Sequence, residues 1–290
     1  MSEPDPFVAH RKLLFTVAYE MLGSAADAED VVQETWLRWA DVDHDKVLDP
    51  RSYLVQIVTR QSLNRLRTLT RRKEDYVGEW LPEPLLTTPD VAEDVELAES
   101  VSIAMLTVLE SLTPTERAVF VLREVFDVPY DEIGKAVDKS TAAVRQIAHR
   151  ARESVAARRP RMAVSRTEQQ AVVDRFVHAV LTGDVQGLLD VLAPDVVLVA
   201  DGGGIAPAIL KPLTGARPIA NLLSNFTRLV PGALVEPVLV NGGPAARIDG
   251  GDKGETVISV AIEDGRITRI FAMRNPHKLA RIDEAVDLRR

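Results

Sequence analysis

Between Ser140 and Arg161 the chain reads STAAVRQIAHRARESVAARRPR, with six arginines and a single acid. A guanidinium forks onto two acceptors at once, so arginine reads guanine edges and neutralises phosphates, while glutamine offers a matching pair to adenine. On a helical wheel begun at Ser140, Val144, Ile147, Ala148, Ala151 and Val155 form one apolar face. Thr141, Arg145, His149 and Arg152 lie opposite, with Gln146 and Arg150 beside them. DEIGKAV precedes as a shorter helix, Asp138-Lys139 supplies a turn without the usual glycine, and Ser140 stands ready to cap the longer helix. That order is a helix-turn-helix, whose second helix enters a DNA major groove with its first residues at base edges. Ser140, Thr141, Arg145, Gln146, His149 and Arg150 are the candidate DNA contacts. A solvated basic helix closing a bundle would share this composition; the turn and the cap argue for the motif.

Two further charged stretches stand out. Residues 60–73, RQSLNRLRTLTRRK, hold six Lys or Arg and no acid, and residues 74–99 hold nine acids and no Lys or Arg. Residues 24–39, SAADAEDVVQETWLRW, put Asp27, Asp30 and Glu34 in one stripe and Val32, Trp36 and Trp39 on another face. The formal charge of -8 therefore says little about partners, because local patches and not the total decide nucleic-acid binding.

The elements that must position these residues come in two kinds. LLFTVAYEML, SAADAEDVVQETWLRWA and RSYLVQIVTRQSLNRLRTL have helical periodicity, with a capping box at Ser24 and Asp27, a polar loop at DVDHDKVLD and Asp49-Pro50 opening the third helix. WLPEPLLTTPDVAEDVE, with three prolines and many acids, predicts a tether at 77–100. Helices resume at VSIAMLTVLESL and at LTPTERAVFVLREVF, where Thr113, Pro114 and Glu116 form a start signal. From residue 166 the pattern is α+β. EQQAVVDRFVHAVL and VQGLLDVLA read as helices, DVVLVA, LVEPVLV, ETVISVAIE and RITRIFAMR as strands, and ARPIANLLSNFTRLV as a helix among them. Asp264-Gly265 predicts a hairpin turn.

Composition narrows the chemistry. Without cysteine there is no disulfide framework or thiolate metal site, and five scattered histidines lack ligand spacing, so neither metal nor cofactor is expected. No apolar run approaches the roughly 18 residues of a membrane span, and the first residues lack a signal-peptide core, which predicts a soluble, cytoplasmic protein. Asp201, His178 and His277 are the conspicuous groups for an enzyme in the last part of the chain. His178 lies beside an apolar helical face, and Asp201 precedes three glycines with no phosphate-loop lysine or Rossmann spacing. No enzyme is expected.

The D-A-E-D string, followed by Val-Val-Gln-Glu-Thr and a tryptophan, resembles the helix by which extracytoplasmic-function (ECF) sigma factors hold the coiled coil of core RNA polymerase. The resemblance implies polymerase contacts at Asp27, Asp30, Gln33 and Glu34. The following basic helix looks like the part of that family that recognises and melts the promoter −10 element. It implies DNA contacts at Arg60, Asn64, Arg65 and Arg67, with Asn64 standing where Asp is common, and a base pocket formed with the loop at 43–49. The helix-turn-helix would read the −35 element.

YVGEWLPEP (76–84), DGGG (201–204) and NPHKL (275–279) are similar to three marks of a subgroup with a fused SnoaL-like, nuclear-transport-factor-like cone. There the extension replaces a separate anti-sigma partner and modulates activity. This implies interdomain roles for Tyr76, Gly78, Trp80, Leu81, Pro82, Asp201, Gly202, Gly203, Gly204, Asn275, Pro276, Lys278 and Leu279. Glu79, Ile205 and His277 depart from the usual proline, lysine and aspartate. The implied organisation is a region-2 unit at 1–76, the acidic linker at 77–100, a region-4 unit at 101–162, a regulatory cone at 166–282 and a tail at 283–290. The implied partners are core RNA polymerase, promoter DNA and a small-molecule ligand in the cone, with no membrane partner. The acidic linker is expected to lie against the basic surfaces in the free protein. Two alternatives remain open: a DNA-binding unit fused to an isomerase- or hydrolase-type enzyme, and a one-component regulator binding duplex DNA unaided.

Overall fold

The computed structural model describes residues 5–158 and 165–290; Arg159 and Arg161 of the arginine cluster, and the side chains of Arg71, Arg72 and Lys73, lie outside the described residues. The chain opens with α1 (Pro6–Leu22), α2 (Ala25–Ala40) and α3 (Pro50–Glu74). Gly23, at φ 67°, takes the left-handed conformation that ends α1. Ser24 caps α2 by accepting from the Asp27 amide. The expected reciprocal arm from Asp27 is not formed. Glu83 accepts from the Ala25 amide at 2.8 Å and the Ser24 hydroxyl at 3.1 Å, and Asp27 turns to Arg65 on α3.

Residues 77–100 correct the expectation of an open tether. Residues 77–88 form an extended strap, followed by α4 (Pro89–Glu93) and α5 (Val95–Val101). Leu81, Leu85, Val91 and Leu97 are buried. Prolines and acids forbade a long helix here, but these apolar side chains supply the burial that orders the segment. Its acids do not cover the basic helices as expected: Glu83 caps α2, and Asp94 and Glu96 hold Arg290.

Ser102 then starts α6 (Ile103–Leu109). The complete capping box at Thr113 and Glu116 opens α7 (Pro114–Phe120), which passes into a π-helical turn at Val121–Val125. α8 (Tyr130–Val137) and α9 (Thr141–Ala156) complete the helical part. One core runs from Phe7 in α1 through Leu54, Leu66 and Val119 to Val155 in α9. The two helical units, expected as separate modules on a tether, thus share a single apolar interior.

The cone begins with α10 (Arg166–Thr182), held by a Ser165–Glu168 capping box, and α11 (Val185–Val191). β1 (Leu192–Asp201) and β2 (Leu213–Thr214) follow, then α12 (Ala216–Leu223), α13 (Phe226–Leu229), β3 (Leu234–Val240), β4 (Gly243–Asp249), β5 (Glu255–Glu263), β6 (Arg266–Met273) and α14 (Pro276–Leu279). The sheet order is β2-β1-β6-β5-β4-β3, antiparallel except for the β1–β6 pair. Val172, Phe176, Val180 and Ile219 pack from the helices onto β1 and β6. The order matches the anticipated cone, with two strands missed, the two-residue β2 and β4. β4 follows an Asn241-Gly242 turn, both residues at positive φ, which is the hairpin signal its small, weakly alternating sequence does not provide.

Candidate functional site

Three sequence-separated motifs converge on one buried carboxylate. Asp201, at the end of β1, is fully buried. It accepts from the Tyr76 hydroxyl at 2.5 Å, the Leu81 amide at 2.9 Å, the Lys278 ammonium at 2.7 Å and the Gly203 amide at 3.1 Å. Lys278, on α14, also donates to the Leu81 carbonyl at 2.5 Å and lies 3.4 Å from the centroid of the Trp80 ring. Asn275 donates to the Tyr76 hydroxyl at 2.7 Å and caps α14 through the His277 amide. Tyr76 meets Trp80 edge-on at 4.7 Å. Burial, then the neighbouring carboxylate, pushes the Tyr76 phenol above its ordinary range, so it stays protonated and donates.

The glycines are required by approach. A Cβ on Gly203 would lie 2.3 Å from the Asn275 amide nitrogen, and one on Gly202 would lie 2.2 Å from the Ala206 carbonyl. Gly204 packs on Val77 and Gly78 near Leu210. Leu81 is buried among Phe271, Met273 and Leu279 of the cone; Pro82 is buried beside it, and Pro276 begins α14 on the surface. The structure therefore brings together the interdomain residues named from sequence. Of the three departures from the motif, Ile205 and His277 are exposed, and Glu79 is half-buried.

The helix-turn-helix geometry is present as well. Asp138, at φ 54°, takes the left-handed turn position in place of glycine, and Ser140 accepts from the Ala143 amide at 3.3 Å. Gly134 carries the tight approach, since a Cβ there would stand 2.7 Å from the Lys139 carbonyl. Val144, Ile147, Ala148, Ala151 and Val155 are buried as the wheel predicts, and Ser140, Arg145, Gln146, His149 and Arg150 are exposed, with Thr141 partly so.

Family models for sigma-70 region 2 and sigma-70 region 4 match residues 7–72 and 102–155. The ECF RNA polymerase sigma factor SigJ of Mycobacterium tuberculosis is 35% identical, over 95% of this chain and 93% of that protein. This chain is an ECF sigma factor. A probable ECF sigma factor from the same organism, SigI, is 29% identical over 96% of this chain and 97% of its own length. The crystal structure of M. tuberculosis SigJ superposes with a TM-score of 0.78 at 33% identity, covering 94% of this chain and 97% of that one.

In this sigma factor the basic and acidic faces are engaged with one another. Arg65 pairs with Asp27 at 2.5 Å and Asp30 at 2.7 Å, tying the residue named for DNA to two named for polymerase. Asp27 is buried in this pair, whereas Asp30, Gln33 and Glu34 are exposed. Trp36, expected on the apolar face, is partly exposed and packs on Phe7, while Trp39 is buried. Arg60 donates to the Lys135 carbonyl of α8 at 2.7 Å, joined by Gln56 at 3.2 Å. Asn64 and Arg67 are exposed and bonded to each other. Arg152 is held by Glu124 at 2.9 Å and the Tyr130 hydroxyl at 2.8 Å, fixing α9 on the body of the unit.

A second interdomain joint was not read from sequence. Asn241, buried at the β3–β4 turn, donates to the Tyr19 hydroxyl and the Val101 carbonyl and accepts from the Leu85 amide. Gly242 beside it lies against Ala98, where a Cβ would come within 2.7 Å. Nearby, buried Arg117 of α7 donates to the Glu20 carbonyl of α1 at 3.0 Å and to Glu110 at 2.8 Å. The Asn-Gly pair marked a turn; that its amide would plug another domain has no local sequence signal.

Proposed function

We propose that the cone holds this sigma factor in a closed form through the Asp201 cluster and so regulates its access to core polymerase and promoter DNA. The observation that carries the reading is the buried Asp201–Lys278 pair, which binds the strap between the two helical units directly to the cone. Breaking it would leave a charge in a low-dielectric site, so the contact favours one arrangement over others. The packing of α3 on α8 through Arg60 and Lys135 supports the same reading, because it sets the helix named for the −10 element against the helix-turn-helix.

In the open form, Asp30, Gln33 and Glu34, with Asp27 behind them, would clasp the polymerase coiled coil. Arg60, Asn64, Arg65 and Arg67 would face the −10 element, and Ser140, Thr141, Arg145, Gln146, His149 and Arg150 the −35 element. Each DNA contact is weak alone; polymerase fixes their separation and makes the second encounter effectively intramolecular.

We assign the cone no catalysis. Asp201 has its oxygens committed to donors on the strap, on α14 and in its own turn, and His178 is exposed on α10. No described helix is long and apolar enough to cross a membrane, and an action on polymerase and promoter places the protein in the bacterial cytoplasm. A small-molecule effector would enter the cavity of about 180 Å³ between α5, α6, the start of α10 and β4–β5, where filling it presses on both parts of the molecule. Runoff transcription with core polymerase, comparing the full chain with residues 1–165, tests the regulatory reading. A change in promoter output is expected, and equal output would end it.

A further inference from the structure

The segment from Asp283 to Arg290 leaves the cone and crosses to the helical units. Asp283 pairs with Arg247 of β4 at 2.7 Å. The Val286 amide donates to the Leu86 carbonyl at 2.8 Å, and Val286 bridges Thr87 in parallel, so the segment meets the strap through one isolated β-bridge. Asp287 pairs with Lys12 of α1. Leu288 is buried in the interior of the helical units, and the Arg289 amide donates to the Thr16 hydroxyl at 3.0 Å. Arg290 reaches Asp94 at 3.1 Å and also Glu96. There it lines, with Glu99, Ser100 and Glu20, a cavity of about 140 Å³.

The charges on the two sides are complementary. Asp287 meets Lys12 and Asp283 meets Arg247, and Arg290 meets two acids of the α4–α5 junction. None of these residues belongs to the Tyr76–Asp201–Lys278 cluster. The attachment is also of a kind that releases locally: one backbone bridge, one amide bond to the Thr16 hydroxyl, one buried leucine and ion pairs at least partly open to solvent, each of which holds weakly by itself.

We propose that residues 283–290 are a detachable latch that holds the strap and α1 together, separate from the Asp201 cluster and releasable while the cone stays folded. Its effect on transcription rests on the regulatory reading above; its effect on the closed form does not.

Hydrogen exchange on the full chain tests it. Leu288→Asp is expected to speed exchange of the Val286 and Arg289 amides and of residues 85–95 by about tenfold or more, with β5 and β6 unchanged. Lys12→Glu is expected to do the same more weakly, and adding Asp287→Lys to it to restore wild-type protection. Unchanged exchange at 85–95 in Leu288→Asp, or no recovery in the charge-swapped pair, would overturn the latch. Core polymerase binding measured on the same variants separates the two readings. Faster exchange with several-fold tighter binding supports both, whereas faster exchange with wild-type binding and runoff output supports the latch and overturns the regulatory reading.

Discussion

The side-chain amide of Asn241 donates to the hydroxyl of Tyr19 at 2.6 Å, joining the cone's β3–β4 turn to the first helix of the sigma fold. Tyr19 in turn donates to the Glu83 carbonyl at 2.7 Å, and the remaining capacity of Asn241 goes to Val101 and Leu85. Asn241→Ala would strand these groups away from water, at about 1–3 kcal/mol for a buried unsatisfied partner. The expected outcome is a lower midpoint in urea unfolding of the full chain. A wild-type midpoint would show that the joint contributes nothing.

Lys278→Met leaves the Asp201 carboxylate buried without its cation, for which the typical cost is about 3–5 kcal/mol. Asp201→Asn combined with Lys278→Met removes both charges and is expected to recover most of that loss. A double-mutant cycle on thermal or urea unfolding reads the coupling directly, and additive effects would mean that the pair does not act as a unit.

Glu20 introduces a pH dependence. Burial, more than any other influence, pushes its carboxyl from 4.5 up to about 8, against the lowering effects of the Ser100 hydroxyl and Arg117. The groups around the adjoining cavity are Glu96, Glu99, Glu124 and Arg290. The folded chain holds the Glu20 proton more tightly than the unfolded one. Its contribution is therefore fully present below about pH 4.5 and is lost as pH rises to about 8. Stability to urea unfolding should fall across that window by up to about 1.4 kcal/mol per pH unit, and Glu20→Gln should flatten the dependence. Equal slopes for wild type and Glu20→Gln would reject this.

Charge reversal at Glu34 is the clean test of the polymerase contact, because it is exposed, whereas Asp30, also exposed, pairs with Arg65. Assembly with core polymerase should weaken at least tenfold by native gel shift while thermal stability stays near wild type, surface substitutions being usually within about 0.5 kcal/mol. Reversal at Asp27 should also destabilise the fold, since it strands Arg65 at the α2–α3 contact.

Arg145→Ala is expected to weaken promoter binding by holoenzyme by about 1–3 kcal/mol and to relax preference at one position of the −35 element. Arg152→Ala should instead lower stability, because its guanidinium holds Glu124 and Tyr130. Competition binding against single-base variants of the element distinguishes the two, and undiminished preference in Arg145→Ala would remove it from the reading surface.

Periodicity and capping carried most of the helical architecture. Val144 to Val155 and the Thr113–Glu116 box are local patterns, and local patterns survive folding. The motif residues of the clamp, Asp201 among them, were legible through resemblance, but the hydrogen bonds by which Asp201 joins them were not. A lone acid before glycines looks like a turn until Tyr76 and Lys278, far away in sequence, arrive at hydrogen-bond distance. The strap misled for a related reason: proline and acid content describes a segment's own preferences, whereas Leu81 and Leu85 are ordered by surfaces contributed from other parts of the chain. Glu83 illustrates this most simply, an acid in a supposed tether that caps a helix nearly sixty residues upstream.

The carbonyl of Lys135 gathers the side chains of both Gln56 and Arg60. If Arg60 touches the melted strand, the promoter competes with α8 for the same guanidinium. The promoter is then a participant in activation as well as its target, and one with a poor −10 sequence would be penalised twice, once in contacts made and once in failing to draw the helix away from its internal partner.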